Sequence, residues 1–339
     1  MINKKIRWGL VARLDDGGLG SLSLDFYKYL EPTKVLGING SYENHPNKFP
    51  NCIVAEMGIP TLAQIDEFLK DLDLILTFES PYNWNLISEA KKRGIKSVII
   101  PNYEWTTNIP PVEPDLWLCP SKLDLKIFKD EGRNAEYLPI PTDRTKIPFR
   151  LRTKAKTFVF NNGHGGSIGR NSAREMIEAI SRVKSDVKFI VRSQVQINNM
   201  LNDGKTTFQF GENKKEGLWN EGDVFVFPHK FDGLSLPIQE AMAAGMPIIT
   251  TDFFPHNEYL PKKFLFAPDD VGRAKLCEEC REIEMCYIYP RLLAEKIDEV
   301  AGMDITETSL EMNRLAEEQS WNKMLPKYNS LFEKLCQDK

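Results

Sequence analysis

The sequence predicts an α/β protein made of two doubly wound halves, and three observations carry the prediction. Short apolar runs alternate with helical patterns, as βαβ units around a parallel sheet require. A Gly-rich loop, Asp15–Gly20 and then Asn161–Gly169, follows the first strand of each half. Between the halves, Pro139, Pro141 and Pro148 stand among Thr and basic residues with no strand or helix reading through them, which marks a linker.

In the first half, Ile6–Ala12 reads as a buried strand, Arg13–Gly20 as a turn and Ser21–Leu30 as a helix. Lys34–Ile38 and Cys52–Ala55 are strand candidates, and Thr61–Lys70 is a helix with Thr61 as its N-cap. Asp73–Phe78 is a strand, Asn83–Arg93 a helix stopped at Gly94, and Ser97–Ile100 a strand. Leu116–Cys119 then feeds a helix over Ser121–Asp130. The rhythm restarts with a strand over Thr157–Phe160 and a helix over Asn171–Val183. Lys188–Arg192, Thr206–Phe210 and Val224–Phe227 follow as strands. Leu236–Ala244 is a helix with Pro237 in its first turn, where a missing N–H costs little, and Pro247–Thr250 is a strand. From about Asp270 the pattern reads as mostly helical.

A chain of 339 residues suits two domains at roughly 100–200 residues each. With 42% hydrophobic and 27% charged residues it is globular, and a net charge of −4 offers no global attraction to nucleic acid or anionic lipid. Six cysteines over this length make no disulfide framework, so a reducing compartment is the expectation. Arg13, Asp15 and Asp16 interrupt any apolar signal core, and no apolar run approaches the roughly 20 residues of a membrane helix. The expected location is cytoplasmic. Cys277, Cys280 and Cys286 lack a fourth ligand for structural zinc, and Cys277 and Cys280 are placed on one face of a helix, so no metal site is expected.

The most informative stretch runs from Asp223 to Ile249 as strand, loop, helix, turn and strand. Gly233–Ser235 precede the helix, where free N–H groups and the positive end of the helix dipole favour a phosphate. Glu240 follows Asp232 by eight positions, one turn inside the helix. A carboxylate there can accept two hydrogen bonds from a vicinal diol such as ribose.

This stretch resembles the nucleotide-sugar motif of retaining GT-B glycosyltransferases, particularly the large family 4 (glycosyl transferases group 1). That pattern, E-G-F-G-L-P-x-x-E-A-M-A-x-G-x-P, is matched here at Gly233, Leu236, Pro237, Glu240, Ala241, Met242, Ala243, Gly245 and Pro247. The resemblance implies a GT-B fold, two Rossmann-like domains facing across a cleft. It places Glu240 on the nucleotide ribose, the backbone of Leu234, Ser235 and Leu236 on the diphosphate, and Asp232 beside the donor sugar as a catalytic candidate. Two positions depart from the pattern: Asp232 stands for a Glu, and Ser235 replaces a Gly that tolerates φ > 0.

Other candidates follow from the same resemblance. Gly17 and Gly18 are donor-phosphate candidates, although a plain strand-to-helix turn has the same composition. Asp15 and Asp16 would orient an acceptor hydroxyl. The family's diphosphate Arg–Lys pair is not reproduced, since Asn171 stands where Lys is usual. Arg170 and Arg192 are the substitute cations, against a reading as surface arginines. His229 is a donor contact or a loop cap, and His256 is structural. Glu104, after the strand Ser97–Ile100, is the acid nearest to where relatives carry a catalytic-site His. The Ser320-Trp321 pair and Tyr328 resemble the family's closing helix over residues 319–339, which crosses back onto the first domain.

The expected organisation is therefore residues 1–145 as the acceptor-side domain and 150–318 as the nucleotide-sugar domain. The expected function is transfer of a sugar from a nucleoside-diphosphate-sugar donor to an acceptor hydroxyl, with no cofactor or metal required. The acceptor is left open among a glycan, a lipid, a small molecule, a protein and modified DNA. A nucleotide-sugar epimerase of the same fold and a non-catalytic nucleotide-sugar-binding scaffold are the alternatives.

Overall fold

The computed structural model describes residues 6–197, 200–211 and 217–337. Residues 1–5, where the stretch expected to carry no signal peptide begins, lie outside them. The chain forms two compact units. The first takes the chain up to Pro141, and also holds Lys275–Arg281 and the chain from Trp321 onward. The second holds Thr142–Ala274 and Glu282–Ser320.

The first unit contains β1 (Trp8–Arg13), α1 (Gly18–Leu30), β2 (Lys34–Ile38), β3 (Ile53–Ala55), α2 (Leu62–Leu69) and β4 (Leu74–Phe78). It continues through α3 (Asn85–Lys92), β5 (Lys96–Ile100), β6 (Leu116–Cys119), α4 (Lys122–Asp130) and β7 (Ala135–Tyr137). The seven-stranded sheet has the order β3-β2-β1-β4-β5-β6-β7, with every pair parallel. Leu10, Leu36, Leu74, Leu76, Val98 and Ile99 are buried, as strands covered on both faces must be. Thr61 caps α2 as expected: its hydroxyl accepts from the Gln64 amide while the Gln64 side chain accepts from the Thr61 amide.

The second unit contains β8 (Thr157–Asn162), α5 (Ala173–Arg182), β9 (Lys188–Ser193), β10 (Thr206–Phe210), β11 (Val224–Phe227), α6 (Leu236–Ala243), β12 (Ile248–Thr251) and β13 (Leu265–Phe266). Its six-stranded sheet has the order β10-β9-β8-β11-β12-β13, again parallel throughout. Gly245, at φ 77°, ends α6 in the left-handed region that a side chain would resist.

The tail departs from the helical expectation. Asp270–Lys275 (β14) and Glu282–Tyr287 (β15) pair as a two-stranded sheet before α7 (Pro290–Val300) and α8 (Thr306–Glu318). Cys277 and Cys280 therefore share a hairpin turn rather than a helix face, and a disulfide joins them. This single bond was not among the sequence expectations, which placed the pair on a helix face. The chain then returns to the first unit as α9 (Trp321–Gln337). There, Trp321 and Tyr328 set their rings 5.0 and 5.3 Å from Phe26, edge-on, and Phe332 lies 5.3 Å from Trp8. Among the described residues no helix is long and apolar enough to cross a membrane.

Candidate active site

Each sheet reverses its strand order once, between β1 and β4 and between β8 and β11. Crevices at the carboxyl ends of such strands are where open α/β sheets bind ligands. The Gly-rich loop after β1, the loop 161–169 after β8 and the loop 228–235 after β11 all emerge at these ends.

In the second unit the residues after β11 form a buried polar cluster. Asp232 is fully buried, with the Arg170 guanidinium 3.4 Å from Oδ1 and the Ser235 hydroxyl donating to Oδ2. Burial pushes the Asp232 carboxyl upward, but Arg170, the imidazoles of His256 and His229, and Ser235 together hold it below the usual carboxylate range. Ser235 lies at φ −95°, so its replacement of Gly brings no conformational conflict and adds a donor to Asp232. Arg170 is thus brought to the predicted acid.

His229 is also fully buried. Its Nδ1 lies 2.9 Å from the Thr250 hydroxyl and 3.2 Å from that of Thr251. Both hydroxyls donate elsewhere, Thr250 to the Phe227 carbonyl and Thr251 to the His229 carbonyl. The His229 Nε2 lies 3.2 Å from His256 Nδ1 and 3.4 Å from the Phe254 carbonyl. His256 Nε2 lies 4.0 Å from Asp232 Oδ2. Neither that nitrogen nor Asp232 Oδ1 has a hydrogen-bond partner. Desolvation lowers both histidines from their ordinary value, His256 the further because His229 faces it. His229 is fixed to threonines rather than left at a ligand surface. His256, read as structural, is what Asp232 meets.

Glu240 lies one turn into α6, half-buried, and accepts from the Trp219 indole N–H at 3.0 Å. Leu234 and Leu236 flank the helix start, half-buried, with Ser235 at the N-cap position. Trp219 was not foreseen; an aromatic before a strand reads as core, and only the fold brings it to Glu240.

Arg192 corrects the sequence expectation. It is buried, and its guanidinium donates to Gln209 Oε1 at 2.8 Å, the Leu218 carbonyl at 2.9 Å and Glu221 Oε2 at 2.7 Å. Its donors go to β10 and to the turn before β11, and it is not a surface arginine. Asn171 bonds to Asn162 Oδ1 at 3.4 Å, within the polar floor of the loop after β8.

In the first unit, Gly17 is the N-cap of α1 and Gly18 its first residue, with Gly18 exposed. Asp15 is a second correction. Its carboxylate is buried, accepts from Arg13 and from the Gly17 amide, and pins the loop instead of facing an acceptor. A side chain at Gly20 would collide with the Asp15 carbonyl oxygen, so the loop needs glycine there. Asp16 is exposed, 2.6 Å from His45 Nε2 and 3.0 Å from Lys48 Nζ. Against a slight push upward from burial, these two partners hold its carboxyl below the usual range. Asp16, Glu43 and His45 bring ligand-capable atoms within 4.8 Å of one another, beside the Lys48 ammonium. Glu104, expected on a solvated loop or at the site, is buried in the single turn Tyr103–Trp105.

Residues 164–283 match the sequence profile of the family described as glycosyl transferases group 1. No curated protein matches the chain in sequence. Solved structures are similar over nearly the whole length. Sucrose-phosphate synthase from Thermosynechococcus elongatus aligns at 13% identity over 99% of this chain and 100% of its own, with a TM-score of 0.64. Anabaena Alr3699/HepE in complex with UDP aligns at 11% identity over 96% and 99%, with a TM-score of 0.69. The lipopolysaccharide outer core galactosyltransferase WaaB, in its apo form, aligns at 10% identity over 97% and 99%, with a TM-score of 0.63. These likenesses establish the GT-B fold, and with the family match they support a glycosyltransferase.

Proposed function

We propose that this chain, a glycosyltransferase by its family match and fold, moves a sugar from a nucleoside-diphosphate donor to an acceptor hydroxyl with retention of anomeric configuration. The observation that carries the reading is the pairing of Glu240, one turn into α6, with Asp232 just before that helix. Glu240 takes the ribose hydroxyls. The N–H groups of Leu234–Leu236 and the positive end of the α6 dipole take the diphosphate. Arg170, already drawn to Asp232, stabilises charge on the leaving diphosphate as the sugar–oxygen bond breaks. Asp232 lies beneath the donor-sugar position and receives a hydroxyl of that sugar.

UDP is the first nucleotide to test, because HepE binds it. Thermal shift with UDP, GDP and ADP, followed by nucleotide release from the matching sugar donors and mass spectrometry of the product, tests the reading. At least one nucleotide raises Tm, and release depends on the sugar donor. Glu240→Ala weakens nucleotide binding on the order of 10- to 100-fold, the worth of hydrogen bonds to a charged group. Asp232→Asn abolishes release with binding retained. Failure of all three nucleotides to stabilise the wild-type chain overturns the proposal. Binding without release supports the second reading, a non-catalytic scaffold, which the full burial of Asp232 favours.

A further inference from the structure

The turn before β11 is held with more rigidity than a connection needs. Two buried arginines reach it. Arg192 donates to the Leu218 carbonyl and to Glu221. Arg152, 1% exposed, donates to the Trp219 carbonyl at 2.7 Å and to the Arg150 carbonyl at 2.6 Å, while its own amide bonds to Ser309 Oγ at 3.0 Å. The Asn220 amide closes the turn on the Gly217 carbonyl. The indole of Trp219 is buried at 4% exposure and set edge-on to Phe225, 5.1 Å between centroids. Backbone and ring are both fixed, and the only polar atom of that ring is spent on Glu240 Oε2.

A buried Trp needs a partner for its N–H, but a backbone carbonyl would serve. Here the partner is the half-buried carboxylate at the start of α6. A glutamate has three rotatable bonds, and ordering a rotamer-rich side chain on binding costs affinity. A donor fixed by two guanidinium groups and a packed ring removes that cost beforehand.

We propose that Trp219 is a positioning residue. Its indole N–H holds one oxygen of Glu240 and so sets the carboxylate that recognises the two hydroxyls of the nucleotide ribose. Arg152 and Arg192 act through it by fixing the turn. The inference rests on the ribose reading of Glu240. It adds that discrimination for the ribose diol depends on a residue that touches no substrate.

The test compares each of UDP, GDP and ADP with its 2′,3′-dideoxy analogue by calorimetric titration. The wild type prefers the hydroxylated nucleotide. Trp219→Phe weakens that nucleotide on the order of 10-fold, the loss of one hydrogen bond to a charged group, and leaves the dideoxy analogue unchanged. In a Glu240→Ala background, which has no acceptor for the indole, Trp219→Phe adds no further loss for the diol, because the cycle isolates the pair. If Phe at 219 disturbs folding, benzothienylalanine keeps the shape of the ring and replaces its N–H by sulfur; it gives the same selective loss. Equal weakening of both nucleotides, or none, overturns the inference while leaving the proposed function standing. Absence of binding by every nucleotide to the wild type removes that function, and the inference with it.

Discussion

At the scale of single residues, the site is organised by burial of titratable groups. His229 and His256 lie side by side, 3.2 Å apart, with His256 4.0 Å from Asp232. Both histidines are held neutral by burial, below their ordinary value. In the unfolded chain they take up protons near the ordinary imidazole value of about 6.5. Below that pH the unfolded state binds more protons than the native one, so stability falls as pH drops. Above it the pair contributes no slope. Asp232, whose carboxyl is lowered, adds its own loss of the same sign, but only near and below the ordinary carboxylate range. Denaturation midpoints should therefore decline from pH 7 to pH 5. The double variant His229→Gln, His256→Gln should flatten the decline while keeping the amide contacts between the two positions. An unchanged slope in the double variant would refute the neutral burial of the pair. Residue chemistry of this kind was only partly legible in the sequence. Glu240 and Asp232 were readable because their spacing is local to one loop and one helix. Trp219, His256 and the burial of Arg192 and Asp15 were not, since each depends on partners 17 or more positions away or on depth below the surface.

At the scale of elements, the parallel strands were legible because burial on both faces leaves near-continuous apolar runs. The short strands β7 and β13 passed unnoticed, being two or three residues without a periodic pattern. The hairpin β14–β15 misled for a different reason. Its first strand, Asp270-Val-Gly-Arg-Ala-Lys275, is exposed or half-buried throughout and pairs only with β15, so no apolar face announces it. Its turn is nevertheless anchored within the first unit. The Asn108 amide donates to the Glu279 carbonyl at 3.3 Å, Thr107 bridges to Cys280, and Arg281 pairs with Glu131 at 2.8 Å over the Phe128 ring. The Cys277–Cys280 disulfide closes a short loop, worth at most about 2 kcal/mol in chain entropy. Its larger effect is on the local order of the turn. Cys277→Ser with Cys280→Ser, or reduction by a phosphine, should speed amide exchange at Asn108 and across 276–281 with little change in Tm. Equal protection with and without the bond would show that Arg281 and the backbone contacts suffice alone.

At the scale of the whole molecule, neither unit is a continuous stretch of chain. The first is left at Pro141, revisited at Lys275–Arg281, and completed only after Trp321. Its core depends on that return. Trp321, Met324, Tyr328, Leu331 and Phe332 are all buried on α9, and Trp321 also stacks on Tyr29 at 4.7 Å. Full burial of a large apolar side chain is worth about 1.5–3 kcal/mol. Five of them therefore match the 5–15 kcal/mol net stability of a typical domain. The expectation of a closing helix over residues 319–339 thus becomes a statement about folding. A chain ending at Ser320 keeps every strand of the first sheet and loses the aromatic cover of Phe26 and Trp8. Its β1, β2 and β4 peptides should exchange amide hydrogen as an opened sheet does, at rates tied to the loss of α9. Trp321→Ala in the full chain should reproduce part of this, at about 3–5 kcal/mol. Adding residues 321–339 back as a separate peptide should restore protection in a concentration-dependent way, because a segment that binds only the folded form stabilises it by mass action. Native protection of β1, β2 and β4 in the truncated chain would mean that α1 and the sheet hold the unit without the returning helix.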